Sequence, residues 1–304
     1  MSDVTFTTFR GLKLKAKRWG SDTHYAHRIL ALHGWLDNAA TWDMLLPILT
    51  NERPGQFYVV ALDLAGHGLS DHRSNDADYL THQYLEDVVA VIDGLGWSKF
   101  SLLGHSMGGG ITTLAAGIFG PRVAACVAIE ALGPVSRPVT ALQRCVDAIE
   151  QRKDLAKRRV SNLSRFTSVE EAVSVRMKTG LHYISEPGMS IVVGRGTTKS
   201  PDGNGVIWST DPVLAKHSAV SYTEDDVYSF LAAIKCPVLN IYGDSGLYKW
   251  FTEKGLRGRE IHVKKLQLVH LPGGHHLHLE PDTVNAVADR ILDFFDNVLS
   301  RRKL

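Results

Sequence analysis

Short apolar runs recur along the chain, each closed by glycine or a polar residue, and amphipathic stretches lie between them. Residues 28–33, 57–63 and 99–103 show no polar face, the pattern of strands buried on both sides. Residues 41–50 and 81–95, which connect them, carry the helical period instead. A small-residue helix is predicted over 107–119 and a further buried strand over 124–130, after the Gly120-Pro121 stop. Strand alternating with helix specifies an α/β protein, with a mostly parallel central sheet and helices on both faces. Residues 1–10 alternate like a strand and contain no apolar core of a secretory signal.

The alternation breaks at Gly133. A charged helix over 144–159 and a turn-rich stretch over 194–205 follow, and strand signals return only at 236–242 and 266–271. An amphipathic helix over 282–299 closes the pattern. The expected organisation is a core in two pieces, 1–132 and 235–304, with a lid or cap, 133–234, inserted between them. The basic run Gln151-Arg-Lys-Asp-Leu-Ala-Lys-Arg-Arg159 is expected to be a solvated helix face.

Composition sets limits on partners. Of 304 residues, 44% are hydrophobic and 22% charged, which suits a globular chain, and a net charge of +2 gives no polyanion footprint. Nucleic acid is not an expected partner, and no apolar run reaches the ~20 residues of a membrane span. Cys126, Cys145 and Cys236 form no Cys-x-x-Cys pair and are expected as reduced thiols. The expected location is cytoplasmic. The terminal Arg301-Arg-Lys-Leu304 shares Lys-Leu with the peroxisomal signal but has arginine where that signal has a small residue.

Candidate chemistry centres on Gly104-His-Ser-Met-Gly108, between a predicted strand and a predicted helix. This is a nucleophile elbow: the sharp turn displays Ser106, and the glycines make room for strand and helix to pack. A serine hydroxyl needs a base, a group to orient that base, and donors for the oxyanion. His275, in Gly273-Gly-His275 after the last strand run, is the candidate base. The backbone N–H groups of Trp35, in His33-Gly-Trp35, and Met107 are candidate oxyanion donors. His276 and His278, with His270 upstream, raise a metal site as a competing idea, but the His-Glu-x-x-His spacing is absent, so His276 and His278 are expected to pack or bond locally without a metal, and His105 to pack. Two carboxylates compete to orient His275. Glu130 closes an apolar strand and needs a partner there; Asp244 follows a late strand in Tyr242-Gly-Asp-Ser-Gly246. Glu130 is favoured, with Asp244 the alternative. Asp37 and Asn38 either contact substrate or stiffen their loop, and Trp208 and Tyr222 either line a pocket or pack on the core.

The chain resembles the α/β-hydrolase superfamily, and more narrowly the serine hydrolase-like proteins of the Kraken type. The resemblance rests on His33-Gly-Trp-Leu-Asp-Asn38, Asp63-Leu-Ala-Gly-His-Gly-Leu-Ser70, the Ser106 elbow, Arg195-Gly-Thr-Thr-Lys199 with Asp211-Pro212, and Gly274-His-His-Leu-His-Leu-Glu280. It implies the α/β-hydrolase fold with an inserted lid, His275 as the catalytic histidine, and esterase-like acyl transfer to water. Many of these enzymes carry the acid three residues after the late-strand glycine, which is Gly246 here. One branch of the related haloalkane dehalogenases carries a glutamate 24 residues past the nucleophile, the spacing of Ser106 to Glu130. Those enzymes use an aspartate nucleophile, so Ser106 points away from their activity.

The expected function is a lidded serine hydrolase for a small ester or related acyl compound, with no metal or organic cofactor. A carbon-carbon bond hydrolase or perhydrolase on the same triad, and a slow-turnover ligand receptor, are the alternatives.

Overall fold

Val59 and Val60 are adjacent in one strand, both fully buried, and enter different cores: Val59 joins Trp42, Leu46 and Phe295, Val60 joins Leu14, Val88 and Leu114. A strand covered on both faces has no place for a polar residue, which is why its sequence reads as an unbroken apolar run. The computed structural model describes residues 3–74, 76–136, 139–159, 165–180, 182–215, 218–247 and 258–300. The C-terminal residues 301–304, with the Arg-Lys-Leu ending, lie outside the described residues.

In chain order the strands are β1 (Asp3–Thr7), β2 (Lys13–Gly20), β3 (His27–Leu32), β4 (Phe57–Leu62), β5 (Phe100–His105), β6 (Val123–Ile129), β7 (Arg165–Phe166), β8 (Thr197–Lys199), β9 (Val206–Trp208), β10 (Val238–Gly243) and β11 (Leu266–Leu271). Eight of them form one sheet in the order β1-β2-β4-β3-β5-β6-β10-β11. Pairing is parallel from β4 to β11, and β1 and β2 add an antiparallel edge. Helices α1 (Leu45–Glu52), α2 (Thr81–Gly94), α3 (Met107–Phe119), α4 (Ala141–Arg159), α5 (Val169–Thr179), α6 (Glu186–Arg195), α7 (Glu224–Ala233) and α8 (Val284–Ser300) complete the described elements. Leu85 and Val88 of α2, Leu114 of α3 and Leu231 of α7 pack on one face of the sheet; Leu46 and Leu49 of α1 and Ile291 and Phe295 of α8 pack on the other.

Two elements differ from the sequence pattern. The single helix predicted over 41–50 is a 3-10 turn, Ala39–Trp42, capped by the Asn38 side chain, followed by α1 starting at Leu45. Pro47 has no N–H to donate, so it fits only within the first turn, which sets that start. Strand β2 escapes the apolar pattern because it buries Leu14, Ala16 and Trp19 while lysines and an arginine alternate with them.

Between β6 and β10 the central sheet gains no strand among the described residues. This insertion has a small sheet of its own, β7-β9-β8, over a core of Phe166, Val173, Met189 and Val192. Helix α7 is different, burying Val227 and Leu231 with α3 in the main core, so by packing the core resumes at α7. Helix α4 turns Arg144 and Arg152 inward, onto the Ala219 and Ala77 carbonyls, and leaves Leu142, Val146 and Ile149 exposed. Among the described residues no helix is long and apolar enough to cross a membrane.

Helix α3 lies so close to the sheet that a Cβ at Gly108 would run into the backbone carbonyls of Leu32 and His33. Backbone cannot swing aside as a side chain can. Gly108→Ala is expected to lower stability by about 2 kcal/mol or more, measured as the urea midpoint at constant m-value.

Candidate active site

Strand β5 ends at His105 and α3 begins at Met107, so Ser106 alone makes the turn. Its N–H still extends the sheet by donating to Ile129 O (2.9 Å), and its carbonyl already starts the helix by accepting from Gly110 N (2.9 Å). Serving both forces the backbone to φ 52°, ψ −117°, at a cost of about 1–3 kcal/mol for a non-glycine residue. Among the described residues only Leu36 (φ 60°) and Glu130 (φ 58°) share a positive φ without being glycine. All three sit at the carboxyl ends of the central strands, where the candidate groups converge.

Glu130 follows β6, with its N–H donating to Ile241 O (2.7 Å) and its side chain fully buried. Its Oε1 accepts from Gly243 N and its Oε2 from Leu247 N, each at 2.6 Å, and Oε2 lies 3.0 Å from His275 Nδ1. A carboxylate only accepts, so Nδ1 carries the proton and Nε2 keeps the lone pair a base needs. Burial pushes the His275 pKa below its usual value, and the bond to Glu130 offsets part of that shift. The structure brings Glu130, not Asp244, to His275; Asp244 is exposed at the end of β10. Gly246 explains the exchange: a Cβ there would overlap the Glu130 carboxylate, which fills this space from across the sheet.

The loop after β3 holds Trp35 and turns sharply at Leu36. Met107 opens α3, so its N–H has no partner within the helix. The insertion grips this loop. Arg176 of α5 donates to Leu36 O (2.7 Å) and Asp37 Oδ1 (3.3 Å), Asn38 Nδ2 donates to Val192 O (2.8 Å), and the Trp35 indole donates to Leu214 O (2.9 Å). Asp37 and Asn38 thus stiffen the loop: both are buried, and Asn38 Oδ1 also caps Ala40 N (3.0 Å). Burial alone would raise the Asp37 carboxyl, but His276, which bonds it, and Arg176 hold it well below the usual carboxylate range.

The two aromatic candidates, both half-buried, pack against neighbouring rings. Trp208 stacks edge-on to Phe166 in the insertion core, under the Arg176 guanidinium, and Tyr222 packs on Phe230 of α7. His276 turns to Asp37 Oδ2 (3.2 Å), His278 bonds Thr41 Oγ1 (2.9 Å), and His105 Nε2 holds the His275 carbonyl (2.9 Å). Sequence reasoning missed His182, whose ring centre lies 4.3 Å from that of His275. Loss of solvent around its exposed ring and the neighbouring His275 and His276 lower its pKa to about 4, so it is neutral at pH 7. Neither it nor Arg176 sits in a motif; the folding of the insertion alone brings them here.

The alpha/beta hydrolase fold family model matches residues 28–282. A serine hydrolase-like protein of Dictyostelium discoideum is 29% identical over 300 residues, covering 96% of this chain and 81% of its own. Among solved structures, a hypothetical protein from Pseudomonas aeruginosa PAO1 superposes with TM-score 0.85 at 33% identity, covering 97% of this chain and 100% of its own. The thioesterase domain from the curacin biosynthetic pathway gives TM-score 0.77 at 26% identity, covering 96% and 100%.

Gly246→Ala is expected to destabilise by about 1–3 kcal/mol, because the carboxylate it would displace has no other buried place to go. Gly194→Ala, on α6 with open space at its Cβ, is expected to be neutral or up to about 1 kcal/mol stabilising. Parallel urea unfolding of the two variants makes the comparison.

Proposed function

The chain belongs to the α/β-hydrolase family, and from that premise we propose that it is a serine hydrolase for a small carboxylic ester or thioester. The 3.0 Å bond between buried Glu130 and His275, together with the strained serine elbow at the same ends of the strands, carries this reading. Ser106 Oγ attacks the acyl carbonyl as His275 Nε2 takes the hydroxyl proton, and Glu130 stabilises the imidazolium that results. The N–H groups of Trp35 and Met107 receive the oxyanion. His275 then gives the proton to the departing alkoxide or thiolate. Water, deprotonated by the same nitrogen, attacks the acyl-enzyme and releases the acid and Ser106. The likeness to a thioesterase domain favours including thioesters in the substrate class. The insertion serves as a cap over this chemistry, in keeping with the approach of His182 to His275 and of Arg176 to the oxyanion loop.

A fluorophosphonate probe is expected to label the wild type and not Ser106→Ala; a folded wild type that stays unlabelled would overturn the reading. Glu130→Gln is expected to lower kcat about 10³- to 10⁴-fold and Asp244→Asn by no more than about twofold. The reverse order would move the orienting role to Asp244. Since His275 must be neutral to act and burial lowers its pKa, the acid limb of kcat/KM is expected below pH 6.5. Without the Glu130 charge the imidazolium loses support, so in Glu130→Gln that limb moves to still lower pH.

A further inference from the structure

We propose that Asp37, His105 and His276 form a binding site for one divalent transition-metal ion of the zinc type, placed behind the reacting groups rather than among them. Asp37 Oδ2 lies 3.2 Å from His276 Nε2 and 3.8 Å from His105 Nδ1, and the three residues each place one ligand atom within 4.8 Å of the others. A tetrahedral ion with bonds of about 2.0–2.2 Å holds its ligand atoms about 3.3–3.5 Å apart. Two edges of the triangle are near that length already. All three side chains are buried, and two imidazoles with one carboxylate suit zinc-type ions, whereas calcium and magnesium take oxygen ligands.

The bonding of His105 sets its tautomer. Its Nε2 meets the His275 carbonyl at 2.9 Å, and a carbonyl only accepts, so Nε2 carries the proton and Nδ1 the lone pair. That Nδ1 is buried, has no hydrogen-bond partner among the described residues and faces an oxygen of Asp37. Two acceptors thus look at each other with no donor between them, and a bound cation completes the arrangement. Two of the three ligands have the supporting contacts of a metal ligand set, while His276 Nδ1 has no partner among the described residues. His105 anchors its far nitrogen on a backbone carbonyl, and Arg176 steadies the second oxygen of Asp37. A Cβ at Gly34 would come within 2.8 Å of His105 Nδ1 and 3.2 Å of Asp37 Oδ2, so only glycine leaves these ligand atoms uncrowded.

Each ligand neighbours one piece of the candidate machinery. Asp37 lies just beyond Trp35, His105 precedes Ser106 and His276 follows His275. An ion there ties three loops together, and its uptake is measurable whether or not the chain hydrolyses an ester. Metal-free protein titrated with Co²⁺ is expected to take up one ion per chain, with visible bands of a low-coordinate nitrogen-oxygen site that Zn²⁺ abolishes by displacement. Zn²⁺ is expected to raise the thermal midpoint as any ligand of the native state does. Asp37→Asn and His276→Gln are each expected to weaken binding about 100-fold or more, and His275→Asn to leave it within about threefold. Circular dichroism establishes that each variant is folded; if Asp37→Asn is not, His276→Gln decides. The proposal is overturned if folded wild type takes up no stoichiometric ion, if folded His276→Gln binds as the wild type does, or if binding follows His275 instead.

Discussion

A carboxylate removed from water must have its charge met inside the protein, and Glu130 imposes that demand on everything around it. Two backbone N–H groups and one imidazole meet it, drawn from β10, the loop after β10 and the loop after β11. Satisfying Glu130 therefore fixes the relative positions of three loops at the end of the sheet. It also accounts for a left-handed backbone at Glu130 itself and for a glycine at 246, where the carboxylate takes the space of a side chain. The same bond aims His275 and selects its tautomer, so charge burial and catalytic geometry are one requirement.

The loop bearing Trp35 is held differently, by the insertion. Arg176, Val192 and Leu214 all belong to it, and they bond Leu36, Asn38 and Trp35 respectively. Below them Arg195 reaches back to Asp63, which is fully buried and also accepts from Ala39 N (2.7 Å) and Leu69 N (3.0 Å). Glu280 receives the Ser185 N–H (2.8 Å) at the start of α6, and Asp211 receives the Tyr79 hydroxyl (2.8 Å). Several residues that mark the family in sequence, Asp63, Arg195, Asp211 and Glu280, thus serve to seat the insertion on the core. A change in the insertion that shifts α5 or α6 is transmitted to the loop bearing Trp35 through hydrogen bonds rather than through loose packing.

The apolar strands and the Ser106 elbow were legible because each is a local requirement. A strand covered on both faces must be apolar along its length, and a strand-to-helix turn without a spacer must flank its serine with glycines. Glu130 was legible as a charge at the end of an apolar strand, with Asp244 left as its rival, since nothing in one dimension shows which carboxylate the histidine meets. That choice belongs to the sheet order, which sets β6 beside β10 and turns Glu130 under the loop containing Gly246. Strand β2 was hidden by its lysines. The inward turn of Asp37, the packing of Trp208 and Tyr222 and the approach of His182 and Arg176 had no local signature at all.

What the sequence by itself determined was the layered fold, the strand-to-helix elbow at Ser106 and the histidine loop, because periodicity and turn chemistry act over a few residues. What only the tertiary structure decided was which acid meets His275, how the loop bearing Trp35 is held and how four buried histidines share their partners. Those depend on contacts between residues more than a hundred positions apart, such as Glu130 with His275 and Arg176 with Leu36. Such pairs meet only once the sheet order and the insertion have brought their loops to the same end of the strands.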